Sequence, residues 1–134
     1  MKPHYNVAAG IIRKDGLILI ARRPKGRHLA GLWEFPGGKQ EDGESLENCL
    51  EREMREELGL SVKADKSVMR VDYEYAKKTI SLYFFECYVL GGEPEVMESQ
   101  DVKWVNPMDL SEFNFPPPDM KLVDFLSSLP ASGC

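Results

Sequence analysis

The sequence predicts an α/β protein, and three observations carry that reading. Aliphatic and β-branched runs broken by glycine turns open the chain, one stretch of helical periodicity ends on a glycine near residue 59, and further strand-like runs precede a closing amphipathic helix. Strands, helix, strands and helix in that order give a mixed architecture. A length of 134 residues suits one domain, 1–134, with 130–134 read as a flexible tail.

Each element has its own signal. "NVAAGIIR" (6–13) and "LILIARR" (17–23) flank Lys14-Asp15-Gly16, a hairpin turn. "PKGRHLAG" is a basic loop, "LWEF" a short strand, and "PGGKQEDGE" reads entirely as turn and loop chemistry. A helix follows from about Ser45 to Leu58, stopped by Gly59 in the left-handed position with Leu60 as its apolar contact. "VMRVDYEY" (68–75) and "TISLYFFECYVL" (79–90) read as strands joined around Lys77-Lys78, and "DVKWV" as the last strand. "NPMDLSEF" is a helical turn, and the proline-led "PPPDMKLVDFLSSL" places Met120, Leu122, Val123, Phe125, Leu126 and Leu129 at helical spacing.

Composition narrows the function. Hydrophobic content of 43% and charged content of 29% are ordinary for a soluble globular protein. A net charge of -5 argues against long nucleic acids, whose binding depends on lysine and arginine neutralising phosphates. A small phosphorylated ligand needs only a local basic patch. No signal-peptide core and no membrane-length apolar run is present, so a cytoplasmic location without membrane attachment is expected. Cys49, Cys87 and Cys134 are odd in number and form no CxxC pair, which indicates neither a disulfide framework nor a zinc site.

The central helix holds the strongest chemical signal. At about 100° per residue, Leu46, Cys49, Leu50, Met54 and Leu58 fill one core-facing arc. Glu53 and Glu57 fall inside that arc and Glu56 at its edge, while Glu47, Glu51 and Arg55 occupy the solvated side. Inward carboxylates are costly unless a cation or hydrogen bonds compensate. Glu53, Glu56 and Glu57 are surface neighbours at i, i+3 and i+4, and hard oxygens so placed suit magnesium or manganese better than zinc. The helix alone also allows a charge-laced surface face, with Arg52 and Glu56 as an i,i+4 pair.

Gly38, Glu44, Arg52, Glu53, Met54, Glu56, Glu57, Gly59 and Leu60 occupy nine defined positions across 23 residues. This pattern resembles the Nudix box of hydrolases that act on nucleoside diphosphates linked to another group. Beyond the box, "RRPKGRHLAGLWEFPGGK" and "FPPPDM" resemble the MutT-type and CTP pyrophosphohydrolase branch. A Walker phosphate loop is excluded because Gln40 follows Lys39 and no glycine stands five residues before Gly38.

The resemblance implies a Nudix fold, an α/β/α sandwich around a mixed β-sheet, and a Mg2+-dependent enzyme in which Mn2+ can substitute. Glu53, Glu56 and Glu57 with the Gly38 carbonyl would hold the metal, and Glu98 is an added ligand or base in "PEVMESQD". Either Glu53 or Glu98 would take the proton from water, Arg52 would orient the carboxylates, and Glu44 would fix the loop or a metal-bound water. Arg23 would contact substrate phosphate, with Lys39 and His28 beside it, although an arginine after a strand read alone is simply solvated.

Phe35, Tyr75, Ile80 and Asp119 would form the base pocket; Phe35 and Ile80 are equally core residues. Where this chain has Asp119, MutT-type enzymes carry asparagine and CTP pyrophosphohydrolases aspartate. An ionised Asp119 suits the amino group of cytosine, a protonated one suits 8-oxoguanine, and an N-cap is the alternative role.

The implied reaction converts a nucleoside triphosphate, such as 8-oxo-dGTP, CTP, dCTP or 5-methyl-dCTP, to a monophosphate and pyrophosphate, in a monomer or homodimer. Two other readings are a Nudix hydrolase of nucleoside diphosphate sugars or dinucleoside polyphosphates, and a non-catalytic nucleotide-binding module. ADP-sugar members carry a proline where this chain has Tyr75, and non-catalytic modules lose box carboxylates that are all present here.

Overall fold

In the computed structural model, which describes residues 1–26, 29–95 and 101–128, Asp15 and Gly16 turn the chain back with φ of 54° and 80°. Two consecutive positive φ values make the two-residue type I′ turn whose twist matches paired strands. They join β1 (His4–Lys14) to β2 (Leu17–Arg22). The other elements are β3 (Trp33–Glu34), β4 (Gly37–Lys39), α1 (Leu46–Leu58), β5 (Ser61–Glu74), β6 (Thr79–Gly91), β7 (Asp101–Val105) and α2 (Met120–Ser128). Short 3-10 turns at Pro107–Glu112 and Pro117–Asp119 lead into α2.

The strands form a mixed sheet in the order β3-β2-β1-β6-β5, with β4 pairing β1 and β7 pairing β2. β1 and β6 run parallel from His4↔Thr79 to Arg13↔Tyr88, and the remaining pairs are antiparallel. Both faces are covered, giving an α/β/α sandwich. One core gathers Ile11, Ile20, Phe84, Leu122, Val123 and Leu126 under α2; the other gathers Ile12, Leu19, Leu50, Met54, Leu58 and Phe85 under α1. Leu50, Met54 and Leu58 are fully buried, each contributing about 1.5–3 kcal/mol of transfer free energy. Among the described residues no helix is long and apolar enough to cross a membrane.

Four expectations are corrected. Gly37–Lys39, read as loop, is a strand paired with β1, and its missing side chains let the backbones close: a Cβ on Gly37 would collide with the Ala8 carbonyl. The strand placed at 68–75 begins at Ser61, where Val62 and Ala64 are buried between exposed polar residues and the ladder is interrupted by bulges. Glu51, placed on the solvated side, has a side chain only 17% exposed and accepts the Ala64 N–H at 2.9 Å. Met120 and Phe125, grouped at helical spacing with the apolar residues of α2, are exposed, while Leu122, Val123 and Leu126 carry its buried face. Leu129 and the tail 130–134, including Cys134, lie outside the described residues.

Candidate active site

The mouth of the site is built from α1 and β4. Ser45 caps α1 by accepting the Asn48 N–H at 3.0 Å, and Gly59 ends it at φ 62° with its N–H on Arg55 O and the Leu60 N–H on Met54 O. These caps fix the rotation of α1, so that the Glu53 carboxylate lies against the Cα of Gly38, where a Cβ would collide with it. A glycine is required there by space.

Arg52 binds three box carboxylates at once. Its guanidinium donates to Glu44 at 2.7 and 3.0 Å, to Glu53 at 2.8 Å, to Glu56 at 3.0 Å and to the Lys39 carbonyl at 3.3 Å. The fork-to-fork bond, helped by the Glu41 N–H, holds Glu44 down from 4.5 to about 2. Arg52 itself is pushed above its ordinary value, chiefly by Glu44. Cys49 aims its thiol at the Gly38 carbonyl, 3.5 Å away, and burial pushes that thiol up to about 12, so it is not a nucleophile near neutral pH.

A cavity of about 570 Å³ runs from this mouth into the sheet. Glu53, Glu57, Gly38, Lys39, Arg23, Phe35, Tyr75, Ile80 and Asp119 all line it. Nine expected site residues therefore share one space. Glu44, Arg52 and Glu56 stand outside its lining, Glu56 with its side chain 56% exposed and bonded to Arg52. Among the described residues no three His, Cys, Asp or Glu side chains converge as a ligand group. His28 and Glu98 lie outside the described residues.

Among the described residues three cations line the cavity. Lys39 places its ammonium 4.1 Å above the Tyr5 ring, and Arg23 donates to Glu34 at 2.6 Å. Lys78 sits in the turn that joins β5 to β6, where its carbonyl accepts the Tyr75 N–H at 2.8 Å. Burial, then Lys39 and Arg23, lower the Lys78 pKa. Clustered, partly desolvated cations of this kind have an electrostatic need for an anion.

Phe35, Tyr75 and Ile80 line the cavity together with two acids, Glu34 and Asp119. Phe35 stacks on Phe115 at 5.1 Å and meets Phe84 edge-on at 5.7 Å, so its ring belongs to the core. Its N–H is accepted by the Asp119 carboxyl. Asp119 is 6% exposed. Burial foremost, then the charge of Glu34, raise it from 3.8 to about 8 against the opposing Phe35 N–H and Arg23. The carboxyl lines the cavity instead of capping α2 from outside, and burial foremost, then the Asp119 charge, push the Tyr75 hydroxyl up to about 12.

Sequence reasoning missed Glu34 and Lys78. Lys78 was legible only as a turn residue, although its turn begins at Tyr75, which was assigned to the pocket. Glu34 was hidden by strand alternation, which puts it opposite Phe35; β3 ends at Glu34, and both residues line the cavity.

A family model described as "NUDIX domain" matches residues 7–125. The 8-oxo-dGTP diphosphatase of Haemophilus influenzae is 40% identical over 123 residues, covering 91% of this chain and 90% of that protein. The CTP pyrophosphohydrolase of Escherichia coli is 36% identical over 126 residues, covering 94% and 93%. Among solved structures, the Escherichia coli ORF135 protein superposes with a TM-score of 0.81 at 34% identity over 99% of this chain and 96% of that one. A MutT protein from Methanosarcina mazei superposes with a TM-score of 0.83 at 25% identity over 93% and 94%.

Proposed function

Because the chain belongs to the NUDIX domain family and is an enzyme of the Nudix hydrolase type, we propose that it hydrolyses nucleoside triphosphates to a monophosphate and pyrophosphate. The observation that carries this reading is one cavity lined both by the box carboxylates Glu53 and Glu57 and by the buried Asp119. Arg23, Lys39 and Lys78 line the same cavity and supply the positive charge that a triphosphate requires. The relatives that act on 8-oxo-dGTP and on CTP support the same reading.

A neutral carboxylic acid offers one O–H donor beside one acceptor. That pair matches the N7–H and O6 of 8-oxoguanine, and equally the N3 and N4–H of cytosine. Ordinary guanine presents two acceptors, N7 and O6, on the corresponding edge, and only one can be met. Read on that N7/O6 edge, guanine nucleotides are disfavoured relative to 8-oxoguanine and cytosine nucleotides.

The donor set fits a hard divalent cation: the Glu53 carboxylate is packed on Gly38, and Glu57 lines the same cavity. Glu53, Glu57 and the Gly38 carbonyl would hold Mg2+, with Glu56 beside them; Mn2+ has the same preferences. The ion would supply charge neutralisation and a water of lowered pKa. Arg52 holds Glu53 in place from the protein side, and Glu44 holds Arg52. Glu53, or Glu98 from outside the described residues, takes the proton of the attacking water as a P–O bond breaks and pyrophosphate or nucleotide leaves. The cations hold the phosphates in line.

Replacing Glu57 with glutamine tests the metal site directly. With Mg2+ and CTP or 8-oxo-dGTP, turnover should fall about 100-fold or more with the circular dichroism spectrum retained. Undiminished Mg2+-dependent turnover would remove Glu57 from the metal site.

A further inference from the structure

The residues that lead into β1 are bonded to the turn between β5 and β6. Lys2 pairs with Glu74, the last residue of β5, and its ammonium also donates to the Tyr75 carbonyl at 3.1 Å. On the other side of the turn the Thr79 N–H donates to the Pro3 carbonyl at 2.9 Å, tying Pro3 to the start of β6. The His4 ring bridges two residues of β6, with Nδ1 2.7 Å from the Thr79 hydroxyl and Nε2 3.1 Å from the Ser81 hydroxyl. Ser81 donates its own proton to Asp72 on β5 at 2.6 Å, so His4 Nε2 is the donor to Ser81, and Nδ1 of the neutral ring accepts from Thr79. A serine whose proton goes to aspartate is not a nucleophile activated by this histidine. The trio is a tie across β1, β6 and β5.

Strand alternation keeps that tie out of the substrate space. Tyr5, Val7, Ile80 and Leu82 line the cavity, which places His4 and Ser81 on the opposite face of the sheet. The turn itself does reach the cavity: Tyr75 and Lys78 both line it, joined by the Tyr75 N–H to Lys78 carbonyl bond at 2.8 Å. The Lys78 ammonium lies 5.7 Å from the centre of the Tyr75 ring. Lys2 thus holds one end of the turn, and Pro3 and His4 the other. We propose that Lys2 and His4 are positioning residues of this site: from outside the cavity they clasp the 74–79 turn and so present Tyr75 and Lys78 to the bound nucleotide. Losing the clasp leaves α1 and β4, which carry the box residues, as they are. The loss therefore falls on substrate affinity and not on the chemical step. The proposal rests on the nucleotide reading above.

The test compares Lys2→Ala, Lys2→Arg and His4→Ala with the parent in two ways: steady-state kinetics with Mg2+ and CTP or 8-oxo-dGTP, and amide hydrogen exchange at Tyr75 and Thr79. An exposed ion pair with one further hydrogen bond is worth a modest factor, so Lys2→Ala should raise KM about three- to tenfold with kcat within about twofold. Lys2→Arg, which keeps the charge and the donors, should restore the parent KM. Exchange at Tyr75 and Thr79 should quicken in both alanine variants and stay at the parent rate along α1. Because Lys2 acts through the turn, its effect on KM should vanish once Tyr75 and Lys78 are both replaced by alanine. A KM rise that persists in that background, a loss confined to kcat, or parent KM values in both alanine variants would overturn the proposal. Faster exchange at Tyr75 and Thr79 in a protein that hydrolyses neither triphosphate would overturn the substrate reading and keep the clasp, whereas unchanged exchange overturns the clasp itself.

Discussion

Asp119 carries a cost in stability that its function explains. Its carboxyl moves from an ordinary value of 3.8 to about 8 in the folded protein, with burial as the first cause. The folded state therefore keeps a proton that the unfolded chain releases, and this group's contribution to stability declines as pH rises between those two values and is flat above them. Asp119→Asn keeps one donor and one acceptor without titrating. The melting temperature of the parent should fall relative to Asp119→Asn between pH 5 and pH 8, and parallel curves would show that Asp119 is not held neutral. Glu44 has the opposite sign: held near 2 by Arg52, it supports the fold above about 4.5 and loses that support as pH falls toward 2. Arg52→Lys removes the bidentate fork and should lower kcat about 10- to 100-fold, with Glu53 misplaced while the protein stays folded. At this scale the box residues were legible because a motif with fixed spacing names them one by one. Glu34, Lys78 and the buried side of Glu51 were not, because each depends on how a short strand, a turn or a neighbouring strand packs.

α1 shows what local sequence determines well. Ser45, the arc of Cys49, Leu50, Met54 and Leu58, and Gly59 specify start, buried face and stop, and all three are observed. Gly59→Ala forces a side chain onto a φ of 62° and should cost about 1 kcal/mol of stability, measured by urea unfolding; an unchanged midpoint would mean the cap contributes nothing. The hairpin at Asp15-Gly16 was equally plain. β4 was not, since Gly37 and Gly38 carry no side-chain pattern, and its strand character comes from pairing with Val7, Ala8 and Ala9. Gly38→Ala should therefore act at long range in sequence, displacing Glu53 and depressing activity more than stability. The early part of β5 was hidden by Lys63, Asp65 and Lys66, which are exposed around the buried Val62 and Ala64.

Across the whole molecule, the sheet separates two cores, and the cavity opens where β1, β4, β6 and the 3-10 turn before α2 meet α1. Carboxylates from α1 and Asp119 from the far end of the chain are far apart in sequence, and the parallel pairing of β1 with β6 helps bring their supports together. The α/β class and element order were readable from periodicity, and the sandwich from the box; the cavity was not, because it exists only once both ends of the chain have packed. The central claim is that this one space joins metal-assisted hydrolysis to base recognition. The most direct test compares Mg2+-dependent pyrophosphate and monophosphate release from 8-oxo-dGTP, CTP and dGTP at neutral pH. The account predicts equal amounts of the two products, with kcat/KM for 8-oxo-dGTP or CTP at least about tenfold above dGTP, corresponding to about 1.4 kcal/mol for the mismatched edge. Equal rates for all three, orthophosphate as the product, or cleavage of ADP-ribose in place of triphosphates would contradict it.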